Sequence, residues 1–157
     1  MERVNRILKN EKFKQYIDTV ELIERERIYC RHGLEHCIDV ARITMLLAYE
    51  ENVELDKELV YAAAVLHDIG RSVPNAEYHK KSAELAEPIL KVCGFSLSER
   101  EKIEEVIENH GNSDVAEEKS FRGLFYRADK MSRNCYGCKA AAFCYWDDDK
   151  KNLSLRI

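Results

Sequence analysis

The stretch that most narrows the folding choices is YAAAVLHDIGR, residues 61–71. It continues a run, Leu59 to Leu66, that is apolar at every position. A helix without a polar face has to be buried, so other elements must surround it. At its end stand His67 and Asp68, followed closely by Gly70. Burial brings these two polar groups into apolar surroundings, at a cost that demands hydrogen bonds or a metal ion. A cation would satisfy both at once, and a glycine that ends the helix lets the backbone turn so that neighbouring side chains converge on one ion. The His-Asp pair alone carries little information, because such dipeptides arise often by chance.

The rest of the chain reads the same way. Apolar residues return at helical spacing, as in Val40, Ile43 and Leu47 or Ile103, Val106 and Ile107, and no segment alternates for long with a period of two. Only six glycines and two prolines punctuate 157 residues, 45% of them apolar, enough to bury a core without disulfide staples. We therefore expect an all-α fold, a single-domain helical bundle over residues 1–157. Helices are expected near 3–28 (with a break near Asn10), 33–51, 56–69, 77–93, 98–110 and 119–133, and a shorter one near 137–146. Ser98 with Glu101 three residues on has the capping-box pattern, and Gly70 and Gly94 suit helix C-termini. No internal repeat or Pro/Gly/Ser linker divides the chain, and DDDKKN near the end reads as a solvated turn.

A formal charge of −4 opposes general attraction to nucleic acid or to an anionic membrane, since phosphate binding needs a basic face. The apolar run 59–66 is too short to span a bilayer, and MERVNRILKNEKF does not resemble a signal peptide. A cytoplasmic protein is expected, in which the six cysteines are reduced thiols or metal ligands.

Two further fragments join the His-Asp pair: H-C-I-D-V-A at residues 36–41 and A-D-K-M-S at 128–132. In order with V-L-H-D-I-G-R at 65–71, they resemble the three signatures of the HD-domain metal-dependent phosphohydrolases, with the core signatures spanning about 30–133. The resemblance implies that His36, His67, Asp68 and Asp129 bind a divalent metal. His79 and His110 are similar to the two extra histidines of the subset that binds two ions, which includes symmetrical dinucleoside tetraphosphatases and some cyclic-nucleotide phosphodiesterases. In that arrangement Asp68 bridges the ions and is the candidate catalytic residue, while His79 and His110 complete the second site. The donor set suits Fe, Mn, Ni, Co, Zn or Mg without choosing among them.

The implied activity is attack of metal-activated water on a phosphoester or phosphoanhydride, the substrate a small phosphorylated molecule, by expectation a nucleotide. Arg71, Lys130, Arg127 and Arg133 stand next to ligand positions and could hold phosphate charge, although surface solvation accounts equally for Arg127 and Arg133. His32, four residues before His36, could share its helix face and touch substrate, or simply occupy a helix N-terminus. Two other readings stay open: a di-iron oxygenase on the same fold, and a module that senses a nucleotide without turning it over.

Outside these signatures, residues 134–157 form a cysteine-containing extension in which Cys135, Cys138 and Cys144 follow a C-x2-C-x5-C pattern. Three thiols at that spacing could hold zinc or an iron–sulfur cluster, with Cys30, Cys37 or a partner chain as fourth ligand. They could equally be reduced cysteines packed on a short amphipathic helix beside Trp146.

Overall fold

The computed structural model describes residues 1–74 and 76–155. Among them are seven α-helices and no strand: α1 (Glu2–Lys9), α2 (Glu11–Ile23), α3 (Leu34–Glu50), α4 (Lys57–Leu66), α5 (Tyr78–Cys93), α6 (Leu97–Asn109) and α7 (Phe121–Met131). None is long and apolar enough to cross a membrane.

The all-apolar segment is the centre of the architecture. Asp56 starts α4 by accepting from the backbone N–H groups of Glu58 (2.7 Å) and Leu59 (3.3 Å). From Val60 on, every residue to Leu66 except Tyr61 is fully buried, enclosed by α1, α3, α5 and α6. Arg3 ties the outer layer on, reaching Glu58 of α4 at 2.7 Å and Glu99 of α6 at 2.8 Å. The C-terminal end of α4 therefore opens inside the molecule, so its last residues and those that follow face other helices instead of water.

The expected N-terminal helix is two helices. Asn10 leaves the helical conformation and its side chain accepts from Lys12 N and Phe13 N, capping α2. That helix stops at Ile23, short of the expected 28, where its exposed Leu22 and Ile23 offer nothing to pack. The capping box of α6 is also displaced: Ser96 and Glu99 form it, not Ser98 and Glu101. Buried Phe95 just before Ser96 anchors the earlier start.

Gly94 has φ 94° and closes α5 in the left-handed conformation, as expected. Gly70 does something different. It lies in a single 3-10 turn, Ile69–Ser72, where a Cβ would collide with the Tyr78 carbonyl and the Ser82 backbone nitrogen. Its hydrogen lets the first turn of α5 rest directly on the chain that follows Asp68, with Gly70 N donating to Ser82 Oγ at 2.9 Å.

The helix expected at 137–146 does not form. Cys135–Gly137, Ala141–Phe143 and Asp148–Lys150 are isolated 3-10 turns, because the segment buries too little to repay a longer helix: from Arg133 to Leu155 only Ala140 and Lys151 are buried. The DDDKKN region is exposed at its acidic residues, but Asn152 bonds the carbonyls of Lys130, Met131 and Arg133 and so fastens the segment to the end of α7.

Candidate metal centre

Three histidines meet beyond the end of α4. His67 and His110 are the residues that close α4 and α6, and His36 lies in the first turn of α3. Each has its Nδ1 committed. His67 Nδ1 lies 2.7 Å from the Ala64 carbonyl and His110 Nδ1 2.5 Å from the Ile107 carbonyl, so both nitrogens carry a proton to donate. Ser132 gives its one hydroxyl proton to the Asp129 carbonyl (2.7 Å), so at 3.1 Å it must accept from His36 Nδ1. Each ring, once it holds no proton on Nε2, then offers that nitrogen to an ion. Fixing one ring nitrogen so that the other is free is how proteins prepare histidine for a metal.

Two carboxylates complete the arrangement. Asp68 Oδ2 lies 3.1 Å from His67 Nε2 and 3.6 Å from His36 Nε2. Asp129 Oδ1 lies 3.3 Å from His36 Nε2 and 3.9 Å from His67 Nε2. The second oxygen of each is held by a cation: Arg71 Nε reaches Asp68 Oδ1 at 2.6 Å, and Lys130 Nζ bonds Asp129 Oδ2. Two sets of donors have all their ligand atoms within 4.8 Å of one another, His36/His67/Asp129 and His67/Asp68/His110.

The charge distribution suits a cation. His36 Nε2 and His67 Nε2 are 3.2 Å apart, a separation at which two lone pairs repel unless a proton or a metal lies between them. Burial pulls the His36 pKa down, but hydrogen bonds and charge from Asp129 and Asp68 outweigh it and push the value up to about 9. Burial pushes both carboxyls upward; for Asp68 the charge of His67 and bonds from His110 and His36 overcome this, and for Asp129 the His36 bond and the charge of Lys130 do so. Both lie well below the usual carboxylate range. Two ionised carboxylates beside three imidazole Nε2 atoms form a donor set for a divalent ion of nitrogen and oxygen preference, which displaces the His36 proton on binding.

His79 stands apart from both donor sets. Its ring lies over Tyr78 (3.8 Å between centroids), meets His110 edge-on (4.3 Å) and rests against Gly111. Arg71, lying 3.8 Å over the other side of Tyr78, occupies the Asp68 oxygen that would face a second ion. Burial and the neighbouring His110 hold His79 down at about 4, so it is a neutral ring at physiological pH.

A cavity of about 1460 Å³ opens from the cluster. Arg71, Lys130, Arg133 and His32 all line it, with different degrees of freedom. Lys130 is shared between Asp129 and the His110 carbonyl, while the Arg133 guanidinium lies 4.4 Å over the Trp146 ring. Arg127 is tied to the Ala116 carbonyl and to Glu51. His32 does not share a helix face with His36, since Gly33 starts α3 after it; its ring instead meets that of His36 edge-on at 5.4 Å.

His32 is held by Glu24, which accepts from the His32 backbone N–H and lies 2.7 Å from its Nδ1. Sequence reasoning missed Glu24, although it extends the buried stripe of Phe13, Ile17 and Val20 by one more helical step. An acidic residue on an apolar stripe was the available signal. Ser132 and Tyr78 were also missed. The serine closes the A-D-K-M-S fragment without any chemistry of its own, and nothing in the sequence marks Tyr78 as the plate between Arg71 and His79.

Residues 33–136 match the HD domain family. An uncharacterised protein of Clostridium beijerinckii is 37% identical over 158 residues, covering 99% of this chain and 99% of the relative. No solved structure matches. With the His/Asp cluster in place and two thirds of its length matched by the family, the chain belongs to the HD domain family of metal-dependent hydrolases.

Proposed function

We propose that this protein hydrolyses a phosphoester or phosphoanhydride bond of a nucleotide. The observation that carries the reading is the set of inward-facing Nε2 and carboxylate donors at one end of a large cavity whose wall is basic. Eight arginines and lysines line that cavity against six aspartates and glutamates, although the chain as a whole carries a charge of −4.

His36, His67, Asp68 and Asp129 would hold one divalent ion, and Asp68 with His110 and His79 a second, once Arg71 leaves Asp68. When bound, the metal supplies Lewis-acid polarisation of the phosphoryl group and lowers the pKa of the attacking water. The chain's own residues orient and neutralise. Asp68 is kept ionised by its surroundings and would be a ligand common to both ions. Arg71, released from Asp68, offers a planar fork to phosphate oxygens. Arg27, whose buried Nε has no hydrogen-bond partner, faces the same cavity and supplies a second such contact. His32, with Nδ1 held by Glu24, lines the cavity and offers Nε2 as a hydrogen-bond acceptor to substrate or water. Trp146 and Tyr145, also on the wall, offer flat faces for a base.

The test is phosphate release from a panel of nucleoside monophosphates, cyclic nucleotides and dinucleoside polyphosphates, with Mn or Fe supplied without oxygen and Asp68→Asn alongside. Release by the native chain and none by the variant is expected. Tight nucleotide binding without turnover, or oxygen consumption by the iron form without phosphate release, would overturn the reading.

A further inference from the structure

The cysteines of the extension take no part in the chemistry above, and their setting is unlike that of ordinary buried thiols. Cys37 and Cys93 are packed within α3 and α5. Cys30, Cys135, Cys138 and Cys144 are half-buried, and they come from two distant parts of the chain that meet. Tyr29, next to Cys30, donates its hydroxyl to the Phe143 carbonyl at 3.2 Å and packs edge-on against Tyr145 at 5.8 Å. Phe143 and Tyr145 are the two neighbours of Cys144. Cys30 also lies within electrostatic range of Cys135 and Cys138, as Lys151 does of Cys144 and Cys135.

Apart from the three Asn152 hydrogen bonds to the end of α7, little else specifies this corner. The segment from Asn134 to Leu155 contains only 3-10 turns, and Tyr136, Phe143 and Tyr145 are more than half exposed. A stretch that buries so little apolar surface cannot repay its ordering entropy by packing, and proteins commonly meet that need with a disulfide or a metal. The residues of this segment that are not exposed are the three cysteines, Ala140, Ala141, Trp146, Lys151 and Asn152. Cations stand around them: Lys151 is little exposed, and Arg133 offsets part of the rise that burial and Cys135 impose on the Cys30 thiol. Positive neighbours stabilise thiolate, the form that binds metal.

We propose that Cys30, Cys135, Cys138 and Cys144 form a four-thiolate metal centre that staples the extension to the loop between α2 and α3. The C-x2-C pair sits in a single 3-10 turn, with Cys138 N donating to the Cys135 carbonyl at 3.2 Å, so both sulfurs issue from one tight loop. No three of these sulfurs lie within 4.8 Å of one another. Binding therefore requires the turns to close on the ion, and few packed contacts resist it. Thiolates select zinc or an iron–sulfur cluster over the ions suited to the His/Asp site. The centre is independent of the hydrolase reading.

The experiment compares native protein, purified without oxygen, with a Cys135→Ser/Cys138→Ser double variant and with Cys93→Ala. Zinc, iron and acid-labile sulfide are measured per chain, and far-UV circular dichroism checks the seven helices. One zinc lost in the double variant, with no sulfide, identifies a single ion. Iron and sulfide lost together identify a cluster. Both outcomes require Cys93→Ala to retain the metal. Equal metal content in all three proteins would overturn the proposal. A second measurement needs no variant: in the native chain, Cys30, Cys135, Cys138 and Cys144 should resist alkylation until the metal is removed. Rapid alkylation of these four without metal release would also overturn it.

Discussion

Loading the His/Asp site with a divalent ion should release about one proton at neutral pH, and the source of that proton is His36. In the metal-free protein its pKa stands at about 9. Two pH units below that value, at pH 7, roughly 99 rings in 100 carry the extra proton on Nε2, the atom a metal needs. His79, held at about 4, and His110, pushed below its ordinary value by burial, contribute none. Apparent affinity should therefore rise about tenfold per pH unit from pH 7 to 9 and then level off. The span is about 100-fold, or about 2.7 kcal/mol. Titration calorimetry with Mn in two buffers of different ionisation heat counts the proton directly. A count near zero at pH 7, or an affinity flat between pH 7 and 9, would refute the reasoning.

The stability of the metal-free protein should run the other way. A histidine whose pKa is raised on folding stabilises fully below its unfolded value near 6.5, and that contribution is lost as pH rises through about 9. Thermal unfolding of the metal-free chain should show a loss of up to roughly 3 kcal/mol across this window from His36, which saturating metal reverses. Ser132→Ala removes the acceptor for His36 Nδ1 and should weaken metal binding about 10- to 100-fold while changing stability little, as read by metal titration and melting together. Gly70→Ala drives a methyl group into the α5 backbone at Tyr78 and Ser82; a loss of roughly 2 kcal/mol or more in denaturant unfolding is expected, with weaker metal retention. Ser96→Ala breaks the capping box of α6 and should cost about 1 kcal/mol with no change in metal affinity.

What the sequence made legible was what local chemistry decides. The all-apolar run fixed α4 as the central helix because no other placement hides it; Asn10 marked a helix start through the amide oxygen that caps it, and Gly94 a helix end through the positive φ that glycine tolerates. The donors were readable only jointly: His67 and Asp68 alone said little, and the resemblance of three ordered fragments singled out His36 and Asp129 beside them. Choices between competing local signals were not readable. Ser96-x-x-Glu99 and Ser98-x-x-Glu101 both fit a capping box, and the contact that selects the first is the burial of Phe95 in the core. The alanines at 140–142 suggest a helix, but with only Ala140 buried no tertiary surface stabilises one. Glu24 and His32 meet across the turn between α2 and α3, and Arg71 reaches Asp68 from the next turn. Those pairings depend on how the chain returns on itself.

The most direct test of the metal centre is anomalous diffraction from crystals of the protein loaded with Mn. The account predicts a peak bounded by His36, His67, Asp68 and Asp129, with a second, weaker one beside His110 as loading rises. The absence of any peak among these residues, in crystals that hold Mn elsewhere on the chain, would contradict it.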